Sequence, residues 1–505
     1  MPGRAWPWPL EILAALLLGA LQTLAHVHTE AWWLQLVCIG LLAWRASHLR
    51  PGLAALVGAT YGTAWVAAGT WWLFISMHRY GGLPAWMAVA AVLALAAFLS
   101  LYLAAALAAF ARWRSGRPLA DAALFAAVWL LAELARGVLF TGFPWVAAGY
   151  AHVDGPLAAW APWVGVYGIG AMAAFMAALA ALQPDRSAAS LLRGIGLPVA
   201  LLAAPAMVGA PDFTRPTGTL SVTLLQGNIP QDEKFEITHQ AAALEWHVGA
   251  LNEARGDLVV APETAIPFLP QQMPEGLWEG LQQRFGQGDT AALVGVPLGD
   301  ERTGYTNSAA GFAPGRTPYR YDKQHLVPFG EFIPATFRWF TDLMHIPLGD
   351  FNRGPLVAPS FVVKGERIGP NICYEDLFGE ELAARFTGAG DSPTILANLS
   401  NIGWFGQTIA VDQHLHISRL RSLELQRPMI RATNTGATVV IDHRGEVTHA
   451  LPPHTRGVLE GRVQGREGHT PFARWAGAFG LWPPFLLALA VLAVQGWSAR
   501  RRAAL

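Results

Sequence analysis

Charge distribution is what most constrains this chain. Charged residues are sparse up to about Ala210, common from Pro211 to about His469, and nearly absent again until Ala499. A helix that crosses a bilayer needs about 20 mainly apolar residues, so the pattern predicts a membrane part, a soluble insert and a closing span. Composition agrees, with 53% hydrophobic and 14% charged residues in a chain of 505, against about 25% charged in ordinary soluble proteins.

Seven apolar stretches precede the insert: Leu10–Ala25, Ala31–Trp44, Leu53–Met77, Leu83–Ala111, Leu119–Phe140, Leu157–Leu182 and Leu191–Gly209. An eighth runs Trp475–Trp497. Arg4 before the first stretch is the pattern of a signal peptide, but the spans that follow favour an uncleaved anchor. If eight spans alternate, Arg4, Arg45, Arg50, Arg112, Arg114, Arg117, Arg186, Arg193 and Arg500 to Arg502 all fall on one side. Basic loops mark the cytoplasm. Both termini are therefore expected there, and the insert on the far side of the membrane. The expected organisation is residues 1–210 membrane helices, 211–469 soluble domain, and 470–505 a last helix with a basic tail.

Lys+Arg and Asp+Glu balance at 35 each, which leaves no net field to favour nucleic acid. Only Lys234, Lys323 and Lys364 are lysines, so a retained lysine is informative. Cys38 and Cys373 are the two cysteines, too few for a disulfide framework. Cys38 reads as a small buried apolar residue. A free Cys373 in an oxidising compartment needs a reason, such as catalysis. Trp32, Trp33, Trp71, Trp72 and Trp86 stand near span ends, as interfacial tryptophans do. Glu133 and Arg136, three apart, read either as an intramembrane pair facing a cavity or as snorkelling side chains.

Within the insert, short β-rich runs (Leu220–Leu225, Leu258–Val260, Ala291–Val296, Ile395–Ala397, Thr438–Ile441) alternate with helical stretches such as Glu236–Glu253 and Asp412–Gln426. This predicts an α/β domain with no phosphate-cradling loop and no paired-cysteine metal site. Chemistry-bearing residues sit where runs end. Val260-Ala-Pro-Glu263 places a carboxylate just beyond an apolar strand, where ligands gather in open α/β sheets, although for this segment alone a turn-capping glutamate is the simpler reading. Tyr321-Asp-Lys323 sets a lysine in a loop rich in proline, glycine and aromatics, and a solvated surface charge is the plain alternative. Ile372-Cys373-Tyr374-Glu375-Asp376 puts a cysteine at a strand-to-turn junction, the placement that exposes a nucleophile.

Together the three segments resemble the signatures of the nitrilase superfamily: Val-x-Pro-Glu263, Asp-Lys323-x-His-Leu-x-Pro-Phe-Gly-Glu331 and Ile-Cys373-Tyr-Glu-Asp. The multispan frame joins Gln226-Gly-Asn-Ile-Pro-Gln231, Gly142-Phe-Pro-Trp145, Trp404-Phe-Gly406, Arg427-Pro428 and Arg431-Ala-Thr-Asn-Thr-Gly436 in resembling the bacterial apolipoprotein N-acyltransferases. The similarity covers essentially the whole chain. One departure is Phe235 after Lys234, where that family commonly has tryptophan.

The resemblance implies a nitrilase-like αββα sandwich and a two-step acyl transfer. In it Cys373 is the nucleophile, Glu263 the general base and Lys323 the donor to the oxyanion, with support from Glu331, Tyr374 and Glu375. For Glu375 a structural carboxylate is the competing reading. The implied partners are a phospholipid acyl donor, a diacylglyceryl-cysteine lipoprotein acceptor and membrane lipid, with no metal or soluble cofactor and a monomeric enzyme. Phe143, Trp145, Phe235, Trp404 and Phe405 are candidate substrate-binding residues. Phe140–Gly155 reads as a lateral entrance, or as a connector packed between spans. A membrane-tethered amidase, with water resolving the thioester, and a non-catalytic scaffold are the rival functions.

Overall fold

The computed structural model describes residues 7–185, 187–208, 211–231, 237–333, 350–388 and 390–504. Phe235 lies outside them. The chain divides into two compact units, one formed by Met1–Phe74, Leu83–Pro211 and Phe479–Leu505, the other by Ile75–Gly82 and Asp212–Ala478.

In the first unit, among the described residues, six helices are long and apolar enough to cross a membrane: Trp8–Val27, Pro51–Thr70, Ala85–Trp113, Pro118–Thr141, Pro156–Ala181 and Trp482–Arg501. Two further stretches expected to span are shorter, Trp32–Ala46 at 15 residues and the apolar Ala188–Ala204. Boundaries differ where the backbone turns. The expected span from Trp475 is two helices, Pro471–Phe479 and Trp482–Ala504, because Gly480 between them takes a positive φ of 55°. The expected Leu53–Met77 helix stops at Thr70, and Ser76–Tyr80 forms a separate π-helical turn. Close approach of backbones holds the bundle. A Cβ on Gly19 would come within 2.1 Å of the Tyr61 carbonyl oxygen.

Glu133 and Arg136 are both buried in this unit, with Arg136 Nη2 3.2 Å from Glu133 Oε1. Snorkelling is therefore not their arrangement. Arg136 lies over the Trp65 ring at 4.9 Å and donates to the Val146 carbonyl at 3.3 Å. Glu133 accepts the Ala148 amide at 2.7 Å. The pair thus satisfies connector backbone that would otherwise be unpaired away from water.

The second unit contains, among the described residues, two six-stranded sheets. The strands in chain order are β1 (Thr214–Gln226), β2 (Leu258–Val260), β3 (Ala291–Asp300), β4 (Gly304–Phe312), β5 (Tyr319–Asp322), β6 (Phe361–Val363), β7 (Glu366–Ile372), β8 (Ile395–Ser400), β9 (Met429–Thr433), β10 (Val439–Ile441), β11 (Val447–Ala450) and β12 (Gly457–Gly468). One sheet has the order β12-β1-β2-β3-β4-β5 and the other β11-β10-β9-β8-β7-β6. Each has a parallel centre, β1-β2-β3 and β7-β8-β9, flanked by antiparallel strands.

Alternating residues of both sheets meet in one core, with Leu220, Val222, Leu258 and Leu293 from the first sheet and Ile368, Ile395, Leu399 and Ile430 from the second. The opposite face of the first sheet is covered by helices Ile237–Glu253 and Leu277–Gln287, whose Leu244, Leu251, Leu281 and Phe285 pack on Val259, Ala292 and Val294. Helix Ala410–Leu425 packs on β9 of the second. The layers are αββα. Each fully buried Leu, Ile or Val in such a core contributes about 1.5–3 kcal/mol.

Candidate active site

Three strand ends carry the site. Buried β2 runs into Pro262, which cannot continue a ladder, and Glu263 follows. Gly295 on neighbouring β3 lies so close that a Cβ there would be 2.2 Å from the Pro262 carbonyl oxygen. Lys323 is the first residue after β5. Its backbone amide donates to the Asn307 carbonyl at 2.8 Å, so the antiparallel register of β4 and β5 fixes where the lysine starts. Cys373 is the first residue after β7 and has φ 51°, a left-handed conformation that costs a non-glycine residue on the order of 1–3 kcal/mol.

Surrounding hydrogen bonds hold that turn. Glu375 accepts the Ile372 amide at 2.6 Å and the Tyr321 hydroxyl at 2.8 Å through Oε2. Through Oε1 it accepts the amides of Gln324 at 2.7 Å and His325 at 3.2 Å. Its carboxylate therefore ties the lysine loop to the cysteine turn, as a structural role requires. Tyr374 is buried, with its ring 5.7 Å from His325 and 5.3 Å from Phe378.

Lys323 is 1% exposed. Nζ is 2.9 Å from Glu331 Oε1 and 3.4 Å from Glu263 Oε1. Burial works against its charge, yet the two carboxylates outweigh burial and hold its pKa above the usual lysine range. Asn307 Nδ2 bridges the same two carboxylates, 2.7 Å from Glu263 and 2.6 Å from Glu331. The second oxygen of Glu263 accepts the Asn401 amide at 2.9 Å, and that of Glu331 the Val327 amide at 2.8 Å. Burial and then the Glu263 charge push the Cys373 thiol up to about 12, against the opposing pull of Lys323 and the Ser400 hydroxyl. A half-buried thiol, a carboxylate and a fixed ammonium at the ends of three strands of the two sheets can support nucleophilic attack with proton removal and oxyanion stabilisation.

Two family models match the chain, an apolipoprotein N-acyltransferase N-terminal domain over residues 18–179 and a carbon-nitrogen hydrolase domain over 221–471. A protein of Verminephrobacter eiseniae named apolipoprotein N-acyltransferase is 54% identical, over 95% of this chain and 94% of its own. The chain belongs to the apolipoprotein N-acyltransferase family. Relatives of that name from Ralstonia nicotianae, 48% identical over 97% and 93% of the two chains, and Bordetella bronchiseptica, 43% identical over 94% of each, agree. Membership makes the chain an acyltransferase of the nitrilase superfamily with membrane-spanning helices.

The remaining site candidates lie in different places. Trp404 and Phe405 close the turn Ile402–Phe405 that follows Asn401, and Trp404 is 37% exposed with its ring 5.6 Å from Tyr80, edge to face. In the membrane unit Trp145 is buried with its ring 4.7 Å from Trp72. The Phe143 amide donates to the Arg136 carbonyl at 2.7 Å. Both belong to a connector packed among helices. Sequence reading left out Asn307 and did not assign Asn401. The available signal for Asn307 was an amide within the apolar-flanked run Tyr305-Thr-Asn-Ser-Ala.

Proposed function

We propose that Cys373 takes an acyl chain from a phospholipid and passes it to the N-terminal amine of a diacylglyceryl-cysteine lipoprotein. In the first half-reaction Glu263 accepts the thiol proton as sulfur attacks the ester carbonyl, and Lys323 donates to the developing oxyanion. Collapse of the tetrahedral adduct breaks the ester C–O bond, Glu263 gives its proton to the departing oxygen, and lysophospholipid leaves behind a thioester and an ionised Glu263. In the second half-reaction the amine attacks that thioester, Glu263 takes its proton, and the thiolate leaves and is reprotonated. Glu331 keeps Lys323 in place. Trp404 and Phe405 meet the acyl chain as it approaches Cys373.

The observation that carries this reading is the Lys323 ammonium held between two buried carboxylates, one of them Glu263, one residue beyond a strand as Cys373 is. A lysine so fixed serves an oxyanion, not solvent. Arginine placement supports eight crossings, with the catalytic domain in the periplasm and both termini in the cytoplasm.

Mass spectrometry of the intact protein after exposure to phospholipid tests the first half-reaction. An acyl adduct on Cys373 is expected, together with its transfer to an added diacylated lipopeptide. Free fatty acid with and without the lipopeptide, and no acylated lipopeptide, would favour the amidase reading. For topology, a membrane-impermeant probe at Arg302 should label from the periplasmic side; cytoplasmic labelling would reverse the orientation.

A further inference from the structure

Four buried side chains form a polar cluster against the Cys373 turn. Asp376 comes from the turn itself, His414 and Ser418 from one face of helix Ala410–Leu425, and Arg431 from β9. None is more than 1% exposed. Such a cluster inside a core is costly unless its members satisfy one another.

They do so in a way that fixes the imidazole. Arg431 Nη2 lies 3.1 Å from His414 Nδ1. A guanidinium offers only hydrogens, so Nδ1 is the acceptor and the ring carries its hydrogen on Nε2. That atom is 2.9 Å from Asp376 Oδ1 and 3.3 Å from the Cys373 carbonyl oxygen. Arg431 also donates to the His414 carbonyl at 2.9 Å and to the Ser418 hydroxyl. Ser418 in turn donates to Asp376 Oδ2, and Arg431 Nη1 stands 3.6 Å from that oxygen. Burial opposes the Asp376 charge, but His414 and Arg431 hold its pKa below the usual carboxylate range. The charges of Asp376 and Arg431 cancel, and the ring between them has one orientation.

Asn398 Nδ2 also lies 3.3 Å from the Cys373 carbonyl oxygen and is itself placed by the Asn371 side chain at 2.7 Å. Two side-chain donors from separate elements therefore converge on the carbonyl of the residue whose φ is 51°. We infer that His414, oriented by Asp376 and Arg431, is a positioning residue for Cys373: it holds the carbonyl and so keeps the peptide plane, and with it the sulfur, in the attacking conformation. The inference rests on Cys373 being the nucleophile. His414 does not act as a base towards the thiol, since Nε2 is committed to an aspartate and a backbone carbonyl and Nδ1 to a guanidinium.

The test compares His414→Leu, which removes both ring contacts, with His414→Gln, which keeps an amide donor able to reach Asp376 and the carbonyl. Acylation by phospholipid should fall about 100-fold in the leucine variant, the loss expected of an ångström-scale misplacement. KM should be unchanged, the glutamine variant should recover most of the rate, and both pH profiles should keep their shape. Wild-type rates in His414→Leu, or loss of one limb of the pH profile, would overturn the inference. If that variant does not fold in detergent, Asn398→Ala withdraws the other donor and should lower kcat at constant KM; unchanged kinetics would again count against it.

Alkylation of Cys373 by iodoacetamide, followed by mass spectrometry, separates this inference from the functional reading. Wild-type protein that is alkylated but never acylated defeats the functional reading. Equal alkylation rates in wild type and His414→Leu defeat the positioning role.

Discussion

Lys323 stands nearer to Glu331 than to Glu263, at 2.9 Å against 3.4 Å. In the proposed mechanism the ammonium is thus held chiefly by Glu331, the carboxylate that does not take the thiol proton. Glu331→Gln should shift the lysine onto Glu263 and weaken it as a base. The expected result is a fall in the acylation rate of roughly 100-fold or more with little change in KM, measured by single-turnover transfer from phospholipid.

Cys373 is protonated at neutral pH because its thiol is pushed up to about 12. In free enzyme its alkylation by iodoacetamide should therefore rise roughly tenfold per pH unit through pH 9 without a plateau. Linkage gives the sign for stability. With the folded value above the unfolded value of about 8.5, the protonated thiol's contribution is complete below about pH 8.5 and is lost as pH rises towards the folded value. Thermal melts of Cys373→Ala should accordingly fall less steeply on the alkaline side than those of wild type.

Asn307 bridges both carboxylates through one amide nitrogen. Asn307→Asp replaces that shared donor with a further negative charge beside Glu263 and Glu331. We expect loss of nearly all turnover. Asn307→Ala should cost about 1–3 kcal/mol of stability from the acceptors it leaves unsatisfied, read by denaturation in detergent.

Gly295 tests the backbone beneath Glu263. Its missing side chain makes room for the Pro262 carbonyl, so Gly295→Ala should displace the Glu263 turn. A stability loss of about 1–3 kcal/mol and a large drop in kcat are expected, while an alanine at Gly249 or Gly280, where a Cβ would have nothing within 4 Å, should leave kcat unchanged.

For the membrane unit, Glu133→Leu or Arg136→Leu alone leaves one buried charge uncompensated and should cost about 3–5 kcal/mol, whereas the double replacement should cost less. Melting temperatures of the three variants in one detergent check the order.

Glu263 was legible because it follows an apolar run that ends in a proline turn, Cys373 because it follows a short β-like run, and Lys323 because it is one of three lysines, set in a loop rich in proline, glycine and aromatics. Strand β2 was expected at Leu258–Val260 and is found there, and helices Ile237–Glu253 and Ala410–Leu425 lie within two residues of expectation. What escaped was polarity inside buried strands. Asn307 carries no charge and sits within the nine residues of β4, so neither periodicity nor composition flags it, and its function depends on a register that joins residues far apart in sequence. Hydropathy also misplaced the last span, since the apolar residues of Pro471–Phe479 and Trp482–Ala504 run together in sequence and only the backbone at Gly480 separates them.

The pairing of β1 with β12 sets Thr214 opposite Gly468. Neighbours across an antiparallel ladder are only ~5 Å apart, so residues 214–468 begin and end at almost a single point. Insertions or deletions inside that stretch therefore leave the separation of its two ends unchanged as long as the ladder between β1 and β12 forms.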